Sequence, residues 1–145
     1  MKKLLVLMML AVGVVFGASA KDTYSHDPSV LPEAARTVVK NNFKSDISVI
    51  KIDKDFGRIS DYEVILTDGT EIKFDRNGNW EDVECANSKS VPAGFIPQGV
   101  ADYVKKNQSG THIVGIEKDH GGYEVQLSNG VELKFNKQGE FQRYD

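Results

Sequence analysis

Apolar residues recur along this chain with two alternating periods. Leu31, Ala35, Val38 and Phe43 fall at helical spacing, with Pro32 near the start, where a missing N–H costs nothing. Ile96, Val100, Tyr103 and Val104 repeat the arrangement behind Pro97. Each set predicts a helix of about three turns with one apolar face, and such a helix must lie on a sheet. After each helix the period drops to two. Strands are predicted over Val49–Asp55, Asp61–Leu66, Thr70–Phe74 and Asn79–Glu84, then over Ile113–Lys118, Tyr123–Leu127, Val131–Phe135 and Glu140–Tyr144.

The second half restates the first. Tyr62-Glu63-Val64-Ile65-Leu66-Thr67-Asp68-Gly69 returns as Tyr123-Glu124-Val125-Gln126-Leu127-Ser128-Asn129-Gly130. Glu71-Ile72-Lys73-Phe74 likewise returns as Glu132-Leu133-Lys134-Phe135. Shared spacing implies a shared backbone plan and an origin by duplication. The expected fold is α+β, a tandem duplication in which each copy is a helix followed by a roughly four-stranded antiparallel sheet. The copies span residues 21–86 and 87–145, and the short polar linker between them predicts one compact unit.

Parity decides the turns. A two-residue Asp68-Gly69 loop would set Leu66 against Glu71 and mix the two faces. A three-residue loop ending at Gly69 sets Leu66 against Thr70, Val64 against Ile72 and Tyr62 against Phe74. Its last residue takes the left-handed conformation, which suits glycine. The same count applies to the loops ending at Gly78, Gly130 and Gly139, so these glycines need no ligand to explain them. The register puts Lys73 between Glu63 and Glu81, and Lys134 beside Glu124 and Gln142, on the face away from the helices. Asp82 and Arg143 then fall on the core side, a misfit that predicts a bulge or an overhanging strand end.

Residues 1–20 read as a secretory leader. Met1-Lys2-Lys3 is basic, Leu4 to Phe16 is almost wholly apolar, and Ala18-Ser19-Ala20 supplies small residues for cleavage. The apolar run is shorter than the roughly 20 residues of a membrane span, so a soluble, exported protein without a membrane span is expected. Two of the 18 basic residues and none of the 21 acidic ones lie in the leader, making the exported part more acidic than the whole chain's −3. That balance argues against nucleic acid as a partner. Cys85 is the single cysteine, so no internal disulfide forms.

Candidate chemistry is sparse. His26, His112 and His120 lack zinc-ligand spacing, and no nucleophile sits in a recognisable acid–base setting. No catalytic residue or cofactor is assigned, and an enzyme is not expected. Asp75-Arg76-Asn77-Gly78-Asn79 alternates oxygen donors, yet an EF-hand needs an acid at its twelfth place, where Ala86 stands. A calcium-responsive protein is the alternative reading, with Asp53, Asp55 and Asp61 around Phe56-Gly57-Arg58 as a weaker oxygen set. The favoured binding surface is the face without helices, with Ile65, Lys73, Val83, Gln126, Lys134 and Tyr144 as partner-binding candidates. Phe56 and Ile59 occupy a longer loop in the first copy.

The run Val91-Pro92-Ala93-Gly94-Phe95-Ile96-Pro97 and the hairpins Leu66–Thr70 and Lys73–Trp80 resemble the PepSY-like family of small periplasmic proteins common in Bacteroidetes. The resemblance covers the whole exported chain. It implies a fold like beta-lactamase inhibitory protein, two repeats whose sheets make a curved surface. It also implies a non-enzymatic role in the periplasm, binding and inhibiting another protein or peptide.

Overall fold

The structure, a computed structural model, describes residues 22–145. The leader read in residues 1–20 lies outside the described residues. Nine strands and two α-helices follow one another as β1 (Asp22–Ser25), α1 (Glu33–Asn42), β2 (Ile47–Asp55), β3 (Arg58–Leu66), β4 (Glu71–Asp75), β5 (Trp80–Glu84), α2 (Gln98–Asn107), β6 (Ile113–Asp119), β7 (Gly122–Leu127), β8 (Glu132–Asn136) and β9 (Phe141–Tyr144). Pro32 and Pro97 are the N-caps of α1 and α2, consistent with their fixed φ and missing N–H.

The strands form a single antiparallel sheet in which each is hydrogen-bonded to the next in sequence. The sheets of the two copies are joined into one, where Asp82, Val83 and Glu84 of β5 pair with Glu117, Ile116 and Gly115 of β6. One apolar row crosses most of the sheet, Ile50–Val64–Ile72–Val83–Ile116–Val125–Leu133, each opposite the next. Ala35 and Val39 of α1 and Val100 and Val104 of α2 join the same core cluster, so both helices cover one face. Phe95, just before α2, adds a bridge between the halves, with its ring 5.7 Å from Phe43 and 5.2 Å from Trp80. Lys118 Nζ lies 3.8 Å above the Trp80 ring.

The turn glycines behave as parity requires. Gly69, Gly78, Gly130 and Gly139 have φ between 80° and 89°, and Tyr62, Val64 and Phe74 keep the expected partners Phe74, Ile72 and Trp80. The register departs from expectation one step later. Phe74 opposes Trp80 but Lys73 opposes Asp82, so Glu81 is an extra residue in β5. Phe135 likewise opposes Phe141 while Lys134 opposes Arg143, which makes Gln142 the extra residue in β9. A bulge shifts every later side chain to the other face. Asp82 and Arg143 thereby join the open face, and Val83 and Tyr144 leave it.

β1 has no precedent in the apolar pattern. Asp22-Thr23-Tyr24-Ser25 pairs with Asp53-Ile52-Lys51-Ile50 at the sheet edge, where backbone pairing rather than side-chain burial holds it.

Candidate functional site

The uncovered face of the sheet is built by alternation: residues between the core positions point away from the helices. Its central row runs Lys51–Glu63–Lys73–Asp82–Glu117–Glu124–Lys134–Arg143 across eight strands. The neighbouring row runs Val49–Ile65–Glu71–Glu84–Gly115–Gln126–Glu132. Asp82, Glu117 and Glu124 follow one another in the middle of the first row, with Glu84 in the second, so an acidic band lies over the β5–β6 junction. A shallow recess of about 250 Å³ opens on this face among Lys51, Asp53, Glu63, Glu71, Lys73, Asp82 and Glu84.

Of the residues read as partner-binding, Ile65, Lys73, Gln126 and Lys134 share this face. Val83 does not. It opposes Ile72 and Ile116 and is fully buried. Tyr144 opposes Leu133 on the helix side, its ring 5.3 Å from Phe141 and its hydroxyl accepting a hydrogen bond from Gln108 Nε2 at 3.2 Å. Asp82 and Arg143 are face residues that alternation alone could not place, and Glu117 stands opposite Asp82.

Crowding of like charges marks the face electrostatically. Burial, then Glu63 and Glu84, pushes the Glu71 carboxyl up. Burial, then Asp145, Glu117 and Glu132, does the same to Glu124. Asp61 is raised by burial and by Asp53. Asp53 is also partly buried, which alone would raise it, but the hydrogen bond from Lys51 leads the groups that hold it low.

These carboxylates do not fit a calcium ion as arranged. Lys51 Nζ stands 2.9 Å from Asp53 Oδ1 and 3.4 Å from Asp22 Oδ2, and Lys73 Nζ stands 3.8 Å from Asp61 Oδ1. Ammonium groups thus sit where a cation would bind. Asp75 spends its oxygens on its own turn, accepting from Asn77 N, Asn79 N and Asn79 Nδ2 at 2.8–3.0 Å. Asn136 substitutes for it in the equivalent turn with the same bonds to Gln138 N and Glu140 N, so the motif serves the hairpin. Asp55 lies apart, next to the β2–β3 turn. Among the described residues no three His, Cys, Asp or Glu side chains are grouped to hold a metal.

The remaining candidates are dispersed. His26 Nδ1 pairs with Ser48 O and His112 Nε2 with Ser88 O, while His120 lies in the β6–β7 turn. Burial, aided by Asp68, pushes the Cys85 thiol up to about 11, which leaves it a poor nucleophile. Among the described residues no helix is long and apolar enough to cross a membrane.

Comparison with known proteins agrees with this architecture. The family model described as "Putative beta-lactamase-inhibitor-like, PepSY-like" matches residues 19–59 and 60–143. A "putative periplasmic protein of unknown function" from Bacteroides vulgatus is 38% identical, with a TM-score of 0.80 over 86% of this chain and 98% of its own. A "putative calcium-regulated periplasmic protein" from Bacteroides thetaiotaomicron is 36% identical, with a TM-score of 0.79 over 86% of this chain and 96% of its own. A second Bacteroides vulgatus protein, of the DUF2874 family, is 33% identical, with a TM-score of 0.78 over 89% and 99%. No curated protein matches. An antiparallel sheet with both helices on one face, together with family matches over nearly the whole described chain, establishes that this chain belongs to the PepSY-like family.

Proposed function

We propose that this chain is an exported, periplasmic, non-catalytic module of two repeats, residues 21–86 and 87–145, that binds another protein or peptide across its open sheet face and can inhibit it. The observation that supports this reading is the face itself: a row of side chains from Lys51 to Arg143 runs over both halves, with a second row beside it interrupted only at Gly115 and the helices on the other side. The periplasmic descriptions of the relatives and the inhibitor-like description of the family point the same way. The acidic band over β5–β6 favours a partner surface rich in Lys and Arg, since complementary charge speeds encounter and sets orientation. Calcium response belongs to the description of the Bacteroides thetaiotaomicron relative. It is not the reading preferred here, because lysines already neutralise the clustered carboxylates.

The test uses immobilised residues 21–145 with periplasmic extract. Ile65→Arg/Glu124→Lys alters the open face, and Tyr144→Ala alters the helix side as a control. A protein retained by the wild type and by Tyr144→Ala, but lost from the double variant, supports binding through this face. Retention unaffected by the double variant moves the interface elsewhere, and no retention at all sinks the binding role.

A further inference from the structure

The β2–β3 hairpin ends in a two-residue turn, Phe56-Gly57, between the paired residues Asp55 and Arg58. Both turn residues have positive φ, 50° and 76°. This is the turn that suits the strands' twist, and Asn-Gly or Asp-Gly is its low-strain sequence. A bulky aromatic in the left-handed region is an outlier that stores strain. The ring gains nothing in exchange from the fold. It is fully exposed, at 106% of the reference area, whereas the next most exposed large apolar residue described is Tyr24 at 57%.

The second half provides an internal comparison. Its corresponding turn, His120-Gly121, joins Asp119 to Gly122, and His120 is not among the residues with positive φ. Its strands are also shorter, seven and six residues in β6 and β7 against nine each in β2 and β3. The fold can therefore close this connection without a strained aromatic. In the first half the extra length forms an arm. The last β1 and β4 pairings are at Asp53 and Asp61, beyond which Lys54 pairs only with Ile59 and Asp55 with Arg58. Ser60 is an extra residue at the base of the arm, and such a bulge bends and re-aims a hairpin. Beside the arm a recess of about 400 Å³ separates Arg58, Ile59 and Ser60 from Asp75, Arg76 and Asn77 of the β4–β5 turn, so a partner's rim has room next to the tip.

We propose that this arm is an insertion element, with Phe56 as an aromatic anchor that enters an apolar pocket of the partner protein while Lys54 and Arg58 meet the polar rim. The assignment rests on the reading above that the chain binds another protein. A protein pocket fits better than a lipid surface. One ring buries too little apolar surface to hold a protein on a bilayer by itself, and Asp55 beside it opposes an anionic membrane. In a protein interface, one well-buried aromatic carries a large share of the affinity.

Two measurements decide. Phe56→Asn installs the preferred Asn-Gly turn and should raise the melting temperature by about 3–5 °C; an unchanged or lowered value would show that the phenylalanine is not strained. A photoreactive phenylalanine analogue placed at position 56, 120 or 124 of the full chain, and illuminated in the cells of origin, reports what touches each site. The expected result is a discrete adduct to one protein from position 56 and none from 120. That protein should bind Phe56→Asn at least about 30-fold more weakly than wild type. An adduct from 124 but not from 56 overturns the anchor and leaves open-face binding standing, whereas adducts from neither position remove both. An adduct from 56 to lipid, or to a second copy of this chain, also overturns the partner pocket.

Discussion

Val83 lies directly opposite Ile116 where β5 meets β6, and the pair is excluded from water at 0% and 1% exposure. The junction has three residue pairings, from Asp82–Glu117 to Glu84–Gly115, continued by the Cys85 N–H donating to Val114 O at 2.9 Å, and two of the pairings involve acids on the open face. Apolar contact on the helix side therefore carries much of the union of the two halves. Val83→Ala should cost about 2 kcal/mol by lost burial and cavity formation, seen as a lower urea midpoint. Val83→Asp should prevent folding, because it places an unpaired charge in this row. A Val83→Ala protein as stable as wild type would mean that the halves do not depend on this contact.

Gly99 offers a test in which two effects have opposite signs. It is the second residue of α2, where alanine is favoured over glycine by about 1 kcal/mol on helix propensity. A Cβ there would lie 2.6 Å from the carbonyl oxygen of Gly139 in the β8–β9 turn. Both neighbours are backbone, so neither side chain can swing away. Gly99→Ala is expected to destabilise by about 1–3 kcal/mol, as overpacking does. A thermal melt settles it, and a stabilised Gly99→Ala would show that the helix start stands further from the turn.

Most of this fold is legible because glycine and parity constrain each other. Gly69, Gly78, Gly130 and Gly139 mark left-handed positions, and apolar alternation leaves one loop length compatible with each. The bulges at Glu81 and Gln142 carry no such mark. Each is a polar residue followed by another polar residue, so the pattern shows only the aftermath, Asp82 and Arg143 on the wrong face. Alternation misplaces Val83 and Tyr144 for that reason, whereas Lys73, Gln126 and Lys134 stand in strands with no extra residue, and Ile65 lies in the regular stretch of β3 beyond Ser60, so alternation puts all four on the open face. The β5–β6 union is invisible to periodicity, which describes a strand's faces and not its edges. The Phe56 turn reads as a loop because phenylalanine is not a turn residue, and its backbone angles cannot be inferred from composition.

Calcium should leave the melting temperature of this protein unchanged. Lys51 is already held by Asp22 and Asp53, and the Asp75 carboxylate is engaged by its own turn. A calcium site filled at 100 times its dissociation constant would add about 2.7 kcal/mol, a rise of several degrees. Melts in excess calcium and in excess chelator therefore separate the cases. A chelator-reversible rise of that size would require the lysines to move and would restore calcium response as a function.

Stability should pass through a maximum on mild acidification. Asp61, Glu71 and Glu124 have folded-state pKa values raised above their ordinary ones, burial being the first cause of each. As pH falls from neutrality, the folded protein takes up these protons before the unfolded chain does, so stability rises with proton uptake. Asp68 behaves oppositely. The Thr70 backbone N–H, with help from Lys89, lowers it to about 2. Its stabilising contribution is complete above the ordinary value of 3.8 and is lost as pH falls from there towards 2. Asp75 and Asp119 are also lowered and add to that loss. The melting temperature should therefore be higher near pH 5 than near pH 8 and fall steeply below about pH 4. Glu124→Gln should raise the pH 8 value and reduce the gain on acidification, and Asp68→Asn should reduce the acid-side loss. A melting temperature that falls steadily from pH 8 to pH 5 would show that the acids of the open face do not strain the folded state.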